Sequence, residues 1–142
     1  MPETTEPTEL SPKQAYDLTV TNPSALLVDI RSDMEFLFVG HPKDAVNIAW
    51  IDEPDWTINP NFTAEVRKLI LGGVASDADD AVPVILVCRS GKRSMEAGSK
   101  LLAEGLSNIY SIKGGFEGPL DDNHQRGTQQ GWRYDGLPWA QC

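Results

Sequence analysis

Two apolar runs, the first broken only by Asp29 near its end, constrain this chain most. Ala25-Leu26-Leu27-Val28-Asp29-Ile30 and Val82-Pro83-Val84-Ile85-Leu86-Val87 lack the apolar-polar alternation of a strand with one wet face, so as strands they need cover on both sides. Helical segments supply that cover. Ser11-Pro12 reads as an N-cap followed by proline at the first helical position, with Ala15, Leu18 and Thr19 at helical spacing up to Asn22-Pro23. Ser32 and Glu35 form a capping box for one or two turns through Phe38, closed by Gly40. Thr63 to Leu71 reads as a helix stopped by Gly72-Gly73, and Ser94 as the cap of a helix from Met95 to about Glu104. Ala45–Trp50 and Asn108–Ile112 add two short strands, whereas Pro54 and Asn59-Pro60-Asn61 are loop. Strands and helices alternate, which predicts an α/β domain with a mostly parallel central sheet of about five strands and helices on both faces.

At 142 residues and 40% hydrophobic content the chain is one ordinary globular domain, placed at residues 10–142, with 120–142 as an irregular C-terminal extension. Residues 1–9 are acidic and rich in Pro and Thr, and are expected to remain a disordered tail. Asp77-Ala78-Asp79-Asp80 reads as a solvated acidic turn. No apolar run approaches the roughly 20 residues of a membrane span, and the first residues are acidic where a signal peptide is basic, so a soluble cytoplasmic protein is expected. The formal net charge of −9 repels the phosphate backbone that dominates nucleic-acid affinity, so neither nucleic acid nor membrane is expected as a partner. The charge is uneven. Residues 89–100 carry Arg89, Lys92, Arg93 and Lys100 against Glu96, a local +3 that leaves −12 for the rest.

That basic segment holds Cys88, one of two cysteines, too few for a disulfide framework and without zinc spacing. Cys88-Arg89-Ser90-Gly91-Lys92-Arg93-Ser94 runs from a buried strand into a helix start, where open α/β sheets place their ligands. A tight turn at Gly91 feeding a helix N-terminus points successive N–H groups into one concavity and adds the positive end of the helix dipole. A thiol at its base is disposed toward the reactive thiolate. A lone cysteine after a strand is more often a small buried hydrophobe. Here, however, it ends the apolar run and opens a seven-residue stretch with three basic residues, which makes it a nucleophile candidate.

The residues resemble the rhodanese (thiosulfate sulfurtransferase) family in its single-domain form, from about residue 10 to Gly118. The resemblance rests on Val28-Asp29-Ile30-Arg31, Glu35-Phe36, Gly40-His41, Ala45-Val46-Asn47-Ile48, the segment Val87 to Ser94, and Gly114-Gly115-Phe116. After Gly40-His41 the family usually reads Ile-Pro-Gly-Ala, where this chain has Pro42-Lys43-Asp44-Ala45. The resemblance implies that the Cys88 thiolate takes the outer sulfur of thiosulfate or another sulfane donor as a persulfide and passes it to cyanide, a thiol or a sulfur-carrier protein. The amides of Arg89, Ser90, Gly91, Lys92, Arg93 and Ser94 would stabilise the sulfur anion, and the basic side chains would attract a small anionic donor. No cofactor is implied beyond the covalent persulfide. Asp29 and Arg31 match the family's Asp-x-Arg and are assigned to bracing the pocket rather than to chemistry; a buried ion pair at a strand end and a substrate contact weigh about equally as their other readings.

Two other readings are weighed. Cysteine phosphatases and arsenate reductases resemble each other in a Cys-(x)5-Arg loop, but Arg93 is the fifth residue after Cys88 and Ser94 the sixth, so this loop is one residue short. A non-catalytic rhodanese-like binding module commonly lacks the cysteine that is present here. His41 and His124 lack metal-binding spacing, so no metal is expected, and His41 reads as a structural hydrogen-bonding residue. Trp50, Trp56, Trp132 and Trp139 are expected in core and tail packing, with one of them a candidate wall for the pocket. Cys142 reads as an idle exposed thiol, since nothing in residues 131–142 fixes a path back to Cys88.

Overall fold

A computed structural model describes residues 6–52, 57–73 and 82–141. The first five residues, Pro54, Trp56, the acidic turn at 77–80 and Cys142 lie outside this set. Nine strands are described: β1 (Thr8–Leu10), β2 (Leu26–Asp29), β3 (His41–Pro42), β4 (Val46–Asn47), β5 (Ile51–Asp52), β6 (Thr57–Ile58), β7 (Val84–Val87), β8 (Ile109–Ile112) and β9 (Trp139–Ala140). The α-helices are α1 (Pro12–Thr21), α2 (Phe62–Gly73) and α3 (Lys92–Ala103).

The central sheet has five strands in the order β1-β8-β7-β2-β4, every neighbouring pair parallel. The two apolar runs form its middle. Leu27 stands opposite Ile85 and Val28 opposite Leu86, and Val84 pairs with Ile109 on the other side. Alternate residues face opposite layers. Val28, Val84 and Leu86 pack with Phe62, Val66, Ala97 and Leu101 of α2 and α3. Leu27, Ile85 and Val87 pack with Ala15 of α1 and with Phe116, Trp132 and Leu137. α1 starts as its residues dictate: Ser11 caps the Gln14 N–H, the Gln14 side chain returns the bond to the Ser11 N–H, and Pro12 opens the first turn.

Several expectations change. Thr8–Leu10 is a strand paired with Tyr110–Ile112, so ordered structure starts before residue 10. Buried Pro7 lies on α3, where a side-chain carbon at Gly98 would stand 2.6 Å from the proline ring. Composition argued against order here because side-chain burial is scarce; a backbone ladder supplies the anchor instead. The extension after residue 120 is largely irregular, yet β9 pairs antiparallel with β3 and Trp132 is buried with its Nε1 donating to Pro138 O at 2.8 Å. The Ser32–Glu35 capping box forms, but the turn it opens, Glu35–Val39, is π-helical. α3 begins at Lys92, with Gly91 as its N-cap at φ 102°, three residues before the expected cap at Ser94. α2 keeps Gly72 and Gly73 within its last turn. Among the described residues no helix is long and apolar enough to cross a membrane.

Pro42-Lys43-Asp44-Ala45 closes a β-turn through the Ala45 N–H and Pro42 C=O at 3.1 Å, with Asp44 at φ 70°. Asp44 thus holds the left-handed conformation that a glycine adopts without a Cβ clash. Asp44→Gly is expected to raise stability by up to about 1 kcal/mol, the relieved strain being partly offset by glycine's entropy; urea unfolding against the wild type measures it.

Candidate active site

Cys88 follows β7 directly, and its sulfur faces the layer of α2 and α3 with 1% of the residue exposed. The chain must turn from strand to helix within the four residues 88–91, and Gly91 makes the turn. A Cβ there would stand 3.1 Å from Gly114 N and 3.3 Å from Ile112 O, in a backbone conformation unfavourable to L side chains. The turn directs helix-start amides at the sulfur: Gly91 N–H at 3.0 Å and Ser94 N–H at 3.4 Å. Such N–H groups have no partner within the helix, so an anion at this point completes them. The Cys88 thiol donates to Ser94 Oγ at 3.4 Å; Ser94 Oγ in turn lies 3.2 Å from Gly91 O and 2.6 Å from Ser111 Oγ.

The Gly114–Gly118 segment clamps the loop from the other side. Phe116 N–H donates to Cys88 O at 2.8 Å, and the N–H groups of Glu117 and Gly118 donate to Arg89 O at 2.9 and 3.1 Å. Gly115, at φ 63°, passes so close that a Cβ would stand 2.4 Å from Cys88 O and 2.7 Å from the Arg89 carbonyl. Close backbone approach therefore requires glycine at this position.

The basic side chains have different roles. Arg89 and Lys92 are exposed, and Ser90 is half-buried. Arg93 is half-buried and makes a two-pronged pair with Glu35, Nη1 to Oε1 at 3.3 Å and Nη2 to Oε2 at 3.2 Å. Its charge is thus tied to the π-helical turn, contrary to its expected part in attracting a donor. Burial by itself raises the pKa of Glu35, but hydrogen bonding and charge from Arg93, the Ser32 N–H and the charge of Arg31 outweigh it, holding the carboxyl below its ordinary value.

Asp29 and Arg31 form a fully buried pair: Arg31 Nε donates to Asp29 Oδ1 at 2.9 Å and Nη2 to Oδ2 at 2.7 Å. Nη2 also donates to Gly40 O, Nη1 stands 3.7 Å from Glu117 Oε2, and the guanidinium lies 4.7 Å from the centre of the Phe116 ring. The pair joins the end of β2 to the segment that clamps the Cys88 loop. Asn47 Nδ2 donates to the carbonyls of both Asp29 and Arg31 and locks β4 to the same point.

His41 stacks on Phe36 at 3.7 Å and its Nδ1 lies 2.8 Å from Phe36 O, a structural arrangement. Trp50 and Trp132 lie in the two cores, while Trp139, 40% exposed, packs over Gly40 and edge-on to Phe116. Among the described residues no group of three or more His, Cys, Asp or Glu side chains could hold a metal ion. Sequence reasoning missed Ser111 and the Glu35–Arg93 pair: the first reads as a strand residue, and the second joins residues 58 positions apart.

The fold and site define a class: a parallel α/β domain with a single cysteine beneath helix-start amides at the C-terminal edge of the sheet. Residues 11–120 match the rhodanese-like domain, and the chain belongs to that family. It is 30% identical over 131 residues to the thiosulfate sulfurtransferase GlpE of Actinobacillus pleuropneumoniae, covering 92% of this chain and 91% of that protein. The crystal structure of Rv0390 from M. tuberculosis superposes with a TM-score of 0.77 at 38% identity, covering 95% of this chain and 98% of that one. The polysulfide-sulfur transferase homodimer of Wolinella succinogenes shares the fold at a TM-score of 0.58 and 24% identity, over 96% of this chain and 80% of that one.

Gly115→Ala is expected to destabilise the protein by at least about 2 kcal/mol, because the Cβ meets backbone atoms that cannot move aside; denaturant unfolding reads the loss. For Glu35, a pKa lowered on folding means that its contribution is present above the unfolded value and is lost as pH falls through the folded one. Glu35→Gln is therefore expected to flatten the loss of stability as pH falls below the ordinary carboxyl value of 4.5, seen in paired unfolding curves.

Proposed function

We propose that this protein is a sulfurtransferase that carries a sulfane sulfur as a persulfide on Cys88. The observation that carries this reading is the pair of N–H groups, from Gly91 and Ser94, aimed at the Cys88 sulfur from the start of α3. They stabilise negative charge on the sulfur, whether thiolate before transfer or persulfide after it. Membership of the rhodanese-like family and the likeness to GlpE support the same chemistry.

In the first half-reaction the Cys88 thiolate attacks the outer sulfur of thiosulfate. A Cys88 S–S bond forms, the bond from that sulfur to the sulfonate sulfur breaks, and its electron pair leaves with sulfite. In the second, cyanide or a thiolate attacks the outer sulfur, the S–S bond breaks, and the Cys88 thiolate is regenerated. A polysulfide or small persulfide enters by the same attack, and a sulfur-carrier protein leaves as a loaded acceptor. No further cofactor enters this cycle, since the cysteine is the carrier. Exposed Arg89 and Lys92 attract an anionic donor to an otherwise acidic molecule. Phosphoryl transfer is disfavoured because Arg93, the nearest counterpart of a phosphate-holding arginine, is paired with Glu35.

Intact-protein mass spectrometry after incubation with thiosulfate tests the proposal. The wild type gains one sulfur atom and loses it to cyanide as thiocyanate, while Cys88→Ser gains none. Absence of a gain with both thiosulfate and polysulfide overturns the reading.

A further inference from the structure

β8 directs Ile109 into the core beneath α2 and α3, and Ser111, two residues on, faces the same way. A fully buried hydroxyl at that position is costly unless it is hydrogen-bonded. Its partner is Ser94 Oγ at 2.6 Å, and among the described residues Ser111 Oγ has no other. Ser94 has one hydroxyl proton and three neighbours that could take it: Gly91 O at 3.2 Å, Ser111 Oγ at 2.6 Å and, once ionised, Cys88 Sγ at 3.4 Å. If Ser111 accepted that proton, none would be left for the sulfur, and the buried Ser111 proton would have no acceptor.

We propose that Ser111 is a positioning residue for sulfur transfer, its hydroxyl donating to Ser94 Oγ so that the Ser94 proton is kept for the Cys88 sulfur anion. The inference rests on the sulfurtransferase reading and adds a residue outside the loop to it. With Cys88 as a thiol, Ser94 Oγ accepts from both Cys88 and Ser111 and donates to Gly91 O. With Cys88 as thiolate or persulfide, rotation about the Ser94 Cβ–Oγ bond turns its proton from Gly91 O to the sulfur, while Ser111 continues to donate. The anion then faces three donors, two amides and one hydroxyl. Ser111 does not touch the reacting atoms; it acts through Ser94 alone.

The rate of persulfide formation with thiosulfate, followed by mass, tests this in a double-mutant cycle. Ser111→Ala is expected to slow it about three- to tenfold, the weight of one buried hydroxyl hydrogen bond. Ser111→Thr, which keeps the hydroxyl, is expected to restore it to within about twofold of wild type. In a Ser94→Ala background, Ser111→Ala is expected to add nothing, because its route to the sulfur is already cut. Should Ser111→Ala not fold, Ser111→Cys keeps the volume with a weaker donor and must show slowing of the same sign. The inference is overturned by a wild-type rate in Ser111→Ala, by a Thr variant no faster than Ala, or by an equal penalty with and without Ser94. A wild type that takes up no sulfur from either thiosulfate or polysulfide refutes the sulfurtransferase reading itself, a result distinct from wild-type uptake with an inert Ser111.

Discussion

The buried Asp29–Arg31 pair is the interaction on which the rest of the structure depends. Removing two charges from water costs several kcal/mol per ion, and their attraction offsets this only when the remaining polar atoms are also engaged. Here most of them are. Asp29 accepts from the Arg31 backbone as well as from its side chain, Gly40 O accepts from the guanidinium, and the face of Phe116 lies 4.7 Å away. Satisfying this one pair therefore fixes three separate stretches of chain. The end of β2 is held by its own residues, the π-helical turn by Gly40, and the clamp on the active loop by Phe116 and Glu117.

From that brace the environment of Cys88 follows. The cysteine directly follows β7, its loop carbonyls are held by amides of residues 116–118, and the start of α3 presents N–H groups to the sulfur. Nothing in this arrangement needs a formal charge against the sulfur. Arg93 is used in joining α3 to the π-helical turn, whereas Arg89 and Lys92 stand at the surface. Backbone dipoles thus surround the sulfur, while the charged side chains of Arg89 and Lys92 lie further out.

Both ends of the described chain are tied in by backbone pairing as well as by apolar bulk. β1 extends the central sheet next to β8, and Lys113 N–H donates to Leu10 O at 2.7 Å. β9 pairs with β3, bringing Trp139 over Gly40 and thus over the Arg31 brace. The second core is completed only by residues late in the chain, Trp132 and Leu137, which cover the face of Leu27, Ile85 and Val87.

What the sequence by itself determined was local or periodic. Apolar runs long enough to require cover on both faces dictated a parallel sheet, Ser11-Pro12 dictated the start of α1, and a cysteine at a strand end followed by glycine and a basic helix start marked the loop. The signals depend on neighbours within a few residues, so they are readable without coordinates. What only the tertiary structure decided involves groups far apart in the chain. Glu35 neutralises Arg93 across 58 positions, Ser111 meets Ser94 across 17, and Gly115 lies against the carbonyls of Cys88 and Arg89. The start of α3 belongs here too: Ser94 has the composition of a cap, but Gly91 turns left-handed against Ile112 and Gly114, so the helix begins earlier and the Ser94 hydroxyl lies 3.4 Å from the Cys88 sulfur. Residue type sets what a side chain is able to do; its partners are set by the packing of elements that sequence proximity does not encode.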